Sequence, residues 1–291
     1  MRMNYKVLGF LDGAVELYEW FKGDKPFCAG KIGNAELMCA YNYFYAQHLK
    51  QNPIQWSPVI EKEIFFNAGV FPQTEEARIY FSEELSKAVA NTDVISPWNS
   101  GLGDFEKRFI LSRNPNSVLV DLQSLEPFYC GLPWSSLLKG KNVLVITPFT
   151  ETFKNQYANR EKIWENPNVL PEFNLITLHH PTSKGIDSSM NPYSTWKDMV
   201  NDIKEKMSKI DFDVALIGTG ASSLPLASYA KTLGKKAIHL GGALQLLFGV
   251  KGKRWEQMKI FNNHFFNKHW VRPSALETPK DCELVEGATY W

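Results

Sequence analysis

Three short segments carry residue types that handle phosphates or metal ions, and each lies where an apolar run gives way to a polar turn. The first is Gly30-Lys31-Ile32-Gly33-Asn34-Ala35-Glu36. Asn34 and Glu36 could present two oxygens to one divalent ion that also holds a nucleotide diphosphate, with Lys31 adding a cation. As pure structure, the same residues read as a helix N-cap at Asn34 and a carboxylate at Glu36 that complements the helix dipole. The second segment is Gly218-Thr219-Gly220-Ala221-Ser222-Ser223. Its glycines let the backbone approach a ligand, and the helix start beyond them offers free N–H groups to a phosphate. The third glycine of G-x-G-x-x-G is replaced by Ser223, and a tight strand-to-helix turn alone would also explain the first two. The third segment is His239-Leu240-Gly241-Gly242, with Lys251, Lys253 and Arg254 shortly after it. Two glycine turns on successive strands, with cations nearby, suit a diphosphate; His239 reads either as a ligand-binding residue or as a hydrogen-bonded histidine at a strand end.

Other polar segments fit a cleft. In Ser96-Pro97-Trp98-Asn99-Ser100-Gly101-Leu102-Gly103, Trp98 or Asn99 could face a sugar, or Trp98 could pack in the core. Glu126, after the VLVDLQS run, is a candidate general base. Arg160, downstream of Thr147-Pro148-Phe149, is a candidate for pyrophosphate or simply a solvated helix charge. His179 and His180 should point to opposite faces of a strand and so not chelate one ion together. The Ser-rich stretch from Pro181 to Asn191 is long enough to act as a lid.

The elements that must position these groups follow from periodicity. From about residue 141, NVLVITPF, NLITLHH, DVALIGTG and KAIHLGG read as strands, and ETFKNQYANREKIWE, TWKDMVNDIKEKMSKI, SSLPLASYAKTLG and ALQLLFGV as helices. Upstream, FCAGKIG, TDVISPW and NSVLVDL read as strands, and NAELMCAYNYFYAQHL and TEEARIYFSEELSKAVA as helices. Strands alternating with helices predict an α/β, Rossmann-like fold with a mostly parallel sheet and helices on both faces. In such sheets ligands bind beyond the carboxyl ends of the strands, where the three segments should converge. Breaks near Asn52-Pro53 and Asn114-Pro115 do not look like linkers. The expectation is one composite α/β domain over 1–291: an irregular part to about 140, a regular part over about 141–260, and a tail carrying Trp270, Tyr290 and Trp291 that packs across it.

Among 291 residues, 32 basic and 31 acidic side chains leave a formal charge of +1, giving no bulk field for a polyanion, so no nucleic-acid partner is expected. The apolar residues at the amino terminus are interrupted by Asp12, Glu16 and Glu19, unlike a signal peptide, and no run reaches transmembrane length, so a cytoplasmic location is expected. Cys28, Cys39, Cys130 and Cys282 form no C-x-x-C pair and read as buried thiols rather than as a zinc or disulfide framework.

Lys31-Ile32-Gly33-Asn34-Ala35-Glu36 resembles the R-[FI]-G-D-G-E motif of GT-D-fold glycosyltransferases, whose D-x-E carboxylates serve the metal and nucleotide-sugar site. Residues 213–255 look like the carboxyl half of proteins of this group associated with surface polysaccharide synthesis. The resemblance implies a transferase that uses a nucleotide-sugar donor, a UDP-sugar foremost, and a glycan or glycolipid acceptor, assisted by manganese or magnesium. Glu36 carries over as the D-x-E glutamate. Asn34 stands where the family has aspartate, keeping an oxygen but losing a charge, and Lys31 replaces an arginine without its bidentate fork. Glu36, Asn34 and Glu126 are then the catalytic candidates, with Glu36 and Asn34 also the metal ligands. Lys31, Gly33, Gly218, Gly220, Ser222, His239, Gly241, Gly242 and Arg160 are the donor-binding candidates. Two alternatives are a non-catalytic nucleotide-sugar or glycan-binding homologue and a Rossmann NAD(P)-dependent oxidoreductase. Against the latter, Lys235, Lys236 and His239 lie where an acidic ribose-binding residue belongs.

Overall fold

A computed structural model describes residues 5–99, 101, 104–182 and 188–291. Its strands are β1 (Val7–Leu8), β2 (Phe27–Lys31), β3 (Val94–Ser96), β4 (Val118–Val120), β5 (Asn142–Thr147), β6 (Asn174–His179), β7 (Val214–Ile217) and β8 (Lys236–His239). They form one sheet in the order β1-β4-β3-β2-β8-β7-β5-β6, and every pairing is parallel. The helices are α1 (Phe10–Lys22), α2 (Asn34–His48), α3 (Pro58–Glu63), α4 (Glu75–Ala90), α5 (Phe105–Arg113), α6 (Leu122–Leu125), α7 (Thr150–Ala158), α8 (Trp196–Ser208), α9 (Ser223–Thr232), α10 (Gly242–Leu247) and α11 (Lys253–Glu256). The fold is α/β and Rossmann-like, as the alternating periodicity predicts. Among the described residues, no helix is long and apolar enough to cross a membrane.

Successive strand residues feed opposite cores. Along β5, Leu144 and Ile146 enter one cluster and Val143 and Val145 the other. A sheet buried on both faces needs such unbroken apolar strands. Parallel crossovers are right-handed, so connections stepping one way along the sheet cover one face and those stepping back cover the other. The steps β2 to β3, β3 to β4, β6 to β7 and β7 to β8 all run toward β1, and their helices α2, α4, α5, α8 and α9 pack into the first core. The steps β1 to β2, β4 to β5 and β5 to β6 run the other way, and α1, α6 and α7 pack into the second, joined by α10 after β8. At the carboxyl edge the neighbours β2, β8, β7 and β5 therefore send the chain alternately to opposite faces, which opens a crevice between them.

The sequence reading and the structure part in several places. β1 and α1 have no counterpart in the reading. The helix expected over ETFKNQYANREKIWE stops at Ala158, followed by a 3-10 turn, Arg160–Lys162. Beyond it, Ile163 and Trp164 turn into the second core, where Trp164 Nε1 donates to Leu247 O at 2.9 Å. In the tail, Trp270, Val285 and Trp291 are buried in the second core. All four cysteines are free. Cys28 and Cys39 are buried, and burial pushes both thiols up to about 12, whereas Cys130 and Cys282 are only partly covered. Residues 183–187 of the expected lid, and Ser100, Leu102 and Gly103 of the Trp98 segment, lie outside the described residues.

Candidate active site

The crevice is a cleft of about 300 Å³. Its floor comes from the ends of β2, β8, β7 and β5: Lys31, Gly33, Asn34 and Glu36; His239, Gly241 and Gly242; Gly218 and Gly220; and Thr147 to Phe149. Topology thus brings the three segments together across more than 200 residues of sequence. Three candidates lie elsewhere. Arg160 sits past the carboxyl end of α7, roughly 14 Å of helix beyond the cleft by the rise per residue, where it pairs with Glu161 and Glu172. Ser222 is fully buried under the glycine turn. Glu126 follows α6 and does not line the cleft; burial raises its carboxyl while the nearby Lys31 charge opposes that shift.

Gly33, not Asn34, occupies the N-cap of α2, and Asn34 is the first helical residue, exposed in the cleft. The Glu36 carboxylate folds back over Gly33, so closely that a Cβ there would lie 2.1 Å from Oε2. At the next turn, the β7 and β8 loops touch: a Cβ on Gly218 would stand 2.7 Å from Gly241 O. Gly220 and Gly241 have φ of +65° and +58°, which L side chains seldom adopt.

His239 is buried, and its Nδ1 donates to Lys31 O at 2.9 Å. A carbonyl only accepts, so the proton is on Nδ1 and Nε2 keeps its lone pair. Burial, reinforced by the Lys31 charge, pushes the imidazole down to about 3, so the ring stays neutral. A Cβ on Gly241 would come within 3.4 Å of that Nε2 and 3.5 Å of Lys31 Cε, so the acceptor nitrogen and the lysine stem flank one glycine. His180 is buried on the cleft wall and His179 is exposed, opposite faces as expected.

Trp98 lines the same cleft. Its Nε1 donates to Ile32 O at 2.7 Å, and Lys31 Nζ lies 5.3 Å from its ring centroid. Asn99 is held by Glu106, which accepts from its backbone N and from Nδ2, both at 2.8 Å. Glu106 is buried, which raises its carboxyl to about 7 against the pull of those two bonds and of Lys107.

Of the remaining cleft residues, Glu63, Asn67 and Glu286 carried no signal in the sequence, whereas Arg254 is one of the cations noted after the second glycine turn. Glu63 and Asn67 come from the first-core side of the sheet, while Arg254, Glu286 and Tyr290 come from the second-core side. Arg254 pairs with Glu286 and lies over the Tyr290 ring, 5.4 Å from its centroid. Glu277 fixes this wall from behind. Its carboxylate accepts from Glu151 N at 2.8 Å, Thr152 N at 3.2 Å and Thr152 Oγ1, capping α7, and its carbonyl accepts from Trp291 Nε1 at 3.0 Å.

For a divalent ion, the donor set is one carboxylate and one amide. No cluster of three or more His, Cys, Asp or Glu suited to a metal occurs among the described residues. Magnesium-type sites commonly use one or two carboxylates and complete their shell with phosphate oxygens and water. Glu36 and Asn34 therefore fit an ion shared with a bound diphosphate, and do not fit a cage made by protein alone.

No curated protein matches the chain. Among solved structures, the chain is similar to one described as having a distinct glycosyltransferase fold in the domain of unknown function 1792, at 11% identity and TM-score 0.45, covering 91% of this chain and 94% of that one. A selenomethionine-substituted structure of the same domain type gives 12% identity and TM-score 0.44 over the same shares. A structure described as a new glycosyltransferase (DUF1792) from Streptococcus sanguinis gives 9% and 0.43, covering 87% of this chain and 85% of that one. The sequence profile of the GT-D fold-like domain matches residues 133–247, the stretch that carries β5 to β8 and runs through α10.

Proposed function

We propose that this protein is a glycosyltransferase that moves a sugar from a nucleoside diphosphate donor, a UDP-sugar foremost, to a glycan or glycolipid acceptor. The observation that carries the reading is the meeting of the Lys31 to Glu36 segment with the two glycine turns in one cleft, and the GT-D fold-like match supports it. Lys31 and Arg254 supply positive charge where a leaving diphosphate would develop its negative charge. Glu36 and Asn34 would hold a manganese or magnesium ion jointly with that diphosphate, and the bound ion would act as a Lewis acid on the phosphate oxygens. His239, neutral and with Nε2 as acceptor, would take a hydrogen bond from a ligand O–H or N–H. Glu63, a carboxylate of the cleft lining, would accept the proton of the acceptor hydroxyl, a role for which Glu126, outside that lining, is not positioned. The NAD reading has less support, because β8 ends on a neutral His239 where a ribose needs a carboxylate.

A thermal-shift screen against UDP, GDP, CMP, dTDP and NAD, each with and without manganese, tests this. A ligand at a hundredfold excess over its Kd adds about 2.7 kcal/mol to folding stability. A diphosphate-selective, metal-enhanced shift is expected. A shift with NAD alone would overturn the reading, and binding without turnover in any acceptor mixture would identify a non-catalytic homologue.

A further inference from the structure

Deepening the transferase reading, on which it rests, we propose that the exposed face of Trp98 is the platform for the donor's pyranose ring, and that Glu106, acting through Asn99, positions it. Trp98 stands two residues beyond β3, beside β2 in a register that sets Ser96 against Lys31. An indole has one hydrogen-bonding atom, a donor, and here it is spent on Ile32 O. What the side chain offers the cleft is therefore only its π surface and apolar edge, yet it remains 41% exposed. A large aromatic fixed in that way suits stacking against the C–H face of a ring.

Lys31 decides which ring. Its ammonium stands over the indole, 5.3 Å from the ring centroid, and would hold a phosphate at the edge of the surface left exposed, so the ring stacked there would be one bonded directly to phosphate. The transferred sugar meets that condition. A nucleobase does not, because the ribose separates it from the nearest phosphate.

The platform is held from behind. Ile32 O accepts both Trp98 Nε1 and, at 3.0 Å, Asn99 Nδ2, so the segment is tied to β2 twice. Glu106 then takes the Asn99 backbone N–H and the same side-chain amide group. Glu106 is 2% exposed and does not line the cleft, so it acts only through Asn99. Fixing the indole before the ligand arrives lowers the ordering cost of binding.

The test compares affinities for three pairs, UDP and UDP-glucose, GDP and GDP-mannose, dTDP and dTDP-glucose, in the wild type and in Trp98→Ala, Trp98→Phe, Trp98→Leu and Glu106→Gln. For the pair that binds, Trp98→Ala should weaken the nucleotide sugar about tenfold, the scale of a good aromatic contact, and leave the parent diphosphate nearly unchanged. Trp98→Phe should retain most of the affinity. Trp98→Leu, which keeps bulk and loses the π face, serves if the alanine variant does not fold. Glu106→Gln should lower the ratio of sugar to diphosphate affinity in the same direction, a selectivity that a merely structural role would not move. Equal losses for both ligands would assign Trp98 to the nucleoside and overturn the platform, as would no loss for either. An unchanged ratio in Glu106→Gln would remove its positioning role. A wild type that binds none of the three pairs would sink the transferase reading itself, which separates the two failures.

Discussion

At Gly33 one missing methyl group decides where the Glu36 carboxylate sits. The backbone there has φ −68° and ψ 156°, open to any residue, so Gly33→Ala brings no conformational strain. The new Cβ would, however, occupy the space of Oε2 and drive the carboxylate away. The melting temperature should move by only a few degrees, since the change lies outside the core, while manganese should cease to enhance any nucleotide-induced shift. Retained enhancement would show that Glu36 does not hold the ion. Two other residues bear on pH. Glu106 titrates near 7 when folded and near 4.5 when unfolded, so its contribution is full below 4.5 and lost as pH rises through 7, by about 3 kcal/mol. His239 titrates near 3 when folded and near 6.5 when unfolded, so its contribution is full above 6.5 and lost as pH falls toward 3, by about 4 to 5 kcal/mol. Between 4.5 and 6.5 the two slopes oppose each other. Relative to wild type, Glu106→Gln should therefore gain stability with rising pH across that window, and His239→Asn should lose it, as urea denaturation at a series of pH values would register. Parallel curves for all three proteins would refute both assignments.

At the scale of elements, α7 begins without a side-chain cap of its own, at Phe149, and its first amides are taken by a carboxylate 125 or more residues further on. Free helix-start amides in a buried setting are expensive, and a carboxylate there also meets the helix dipole favourably. Glu277→Ala should lower unfolding stability by about 2 to 4 kcal/mol, the cost of stranding buried donors, and should make the tail around Glu286 and Tyr290 a site of early cleavage in limited proteolysis. A tail that stays resistant would mean that Trp270, Val285 and Trp291 anchor it unaided. The sequence could not reveal this cap, because nothing in the spacing of Glu277 ties it to Thr152. Most strands and several long helices were legible since their signals are local, apolar runs for β5, β7 and β8 and an amphipathic period for α8, although α1, equally long and comparably amphipathic, has no counterpart in the reading. Where partners are distant, local signals fail. Arg160 reads as a cleft cation from its strand-helix context, and only the length of α7 shows that it points away. Glu63 enters the cleft through packing that no spacing encodes, and so does Glu286, the partner of Arg254, although Arg254 itself was legible as a cation after the second glycine turn.

On the scale of the whole molecule, one rule of handedness puts the cleft where it is. The sequence reading reached the sheet and its carboxyl edge, but strand order was beyond it, since β2 lies beside β8 through pairing across 209 residues, as Phe27 to Lys236 shows. That pairing also bears on the expectation of one domain. β2, β5, β7 and β8 each contribute to both cores, so neither face can lose its packing without exposing strands that the other face needs. The breaks near Asn52-Pro53 and Asn114-Pro115 fall within connections of this single sheet. Two neighbouring residues make the point testable. Val145 faces the second core and Ile146 the first, both fully buried on β5. Val145→Ala and Ile146→Ala should each cost about 2 to 4 kcal/mol, the usual range for truncating a buried branched side chain. If the two cores unfold together, each variant should shift the entire urea transition, and tryptophan fluorescence, dominated by the second core through Trp134, Trp164, Trp255, Trp270 and Trp291, should move in step with far-ultraviolet dichroism. A fluorescence transition that follows Val145→Ala but ignores Ile146→Ala would show two separately folding layers, and the cleft would then be a seam between units rather than a crevice in one sheet.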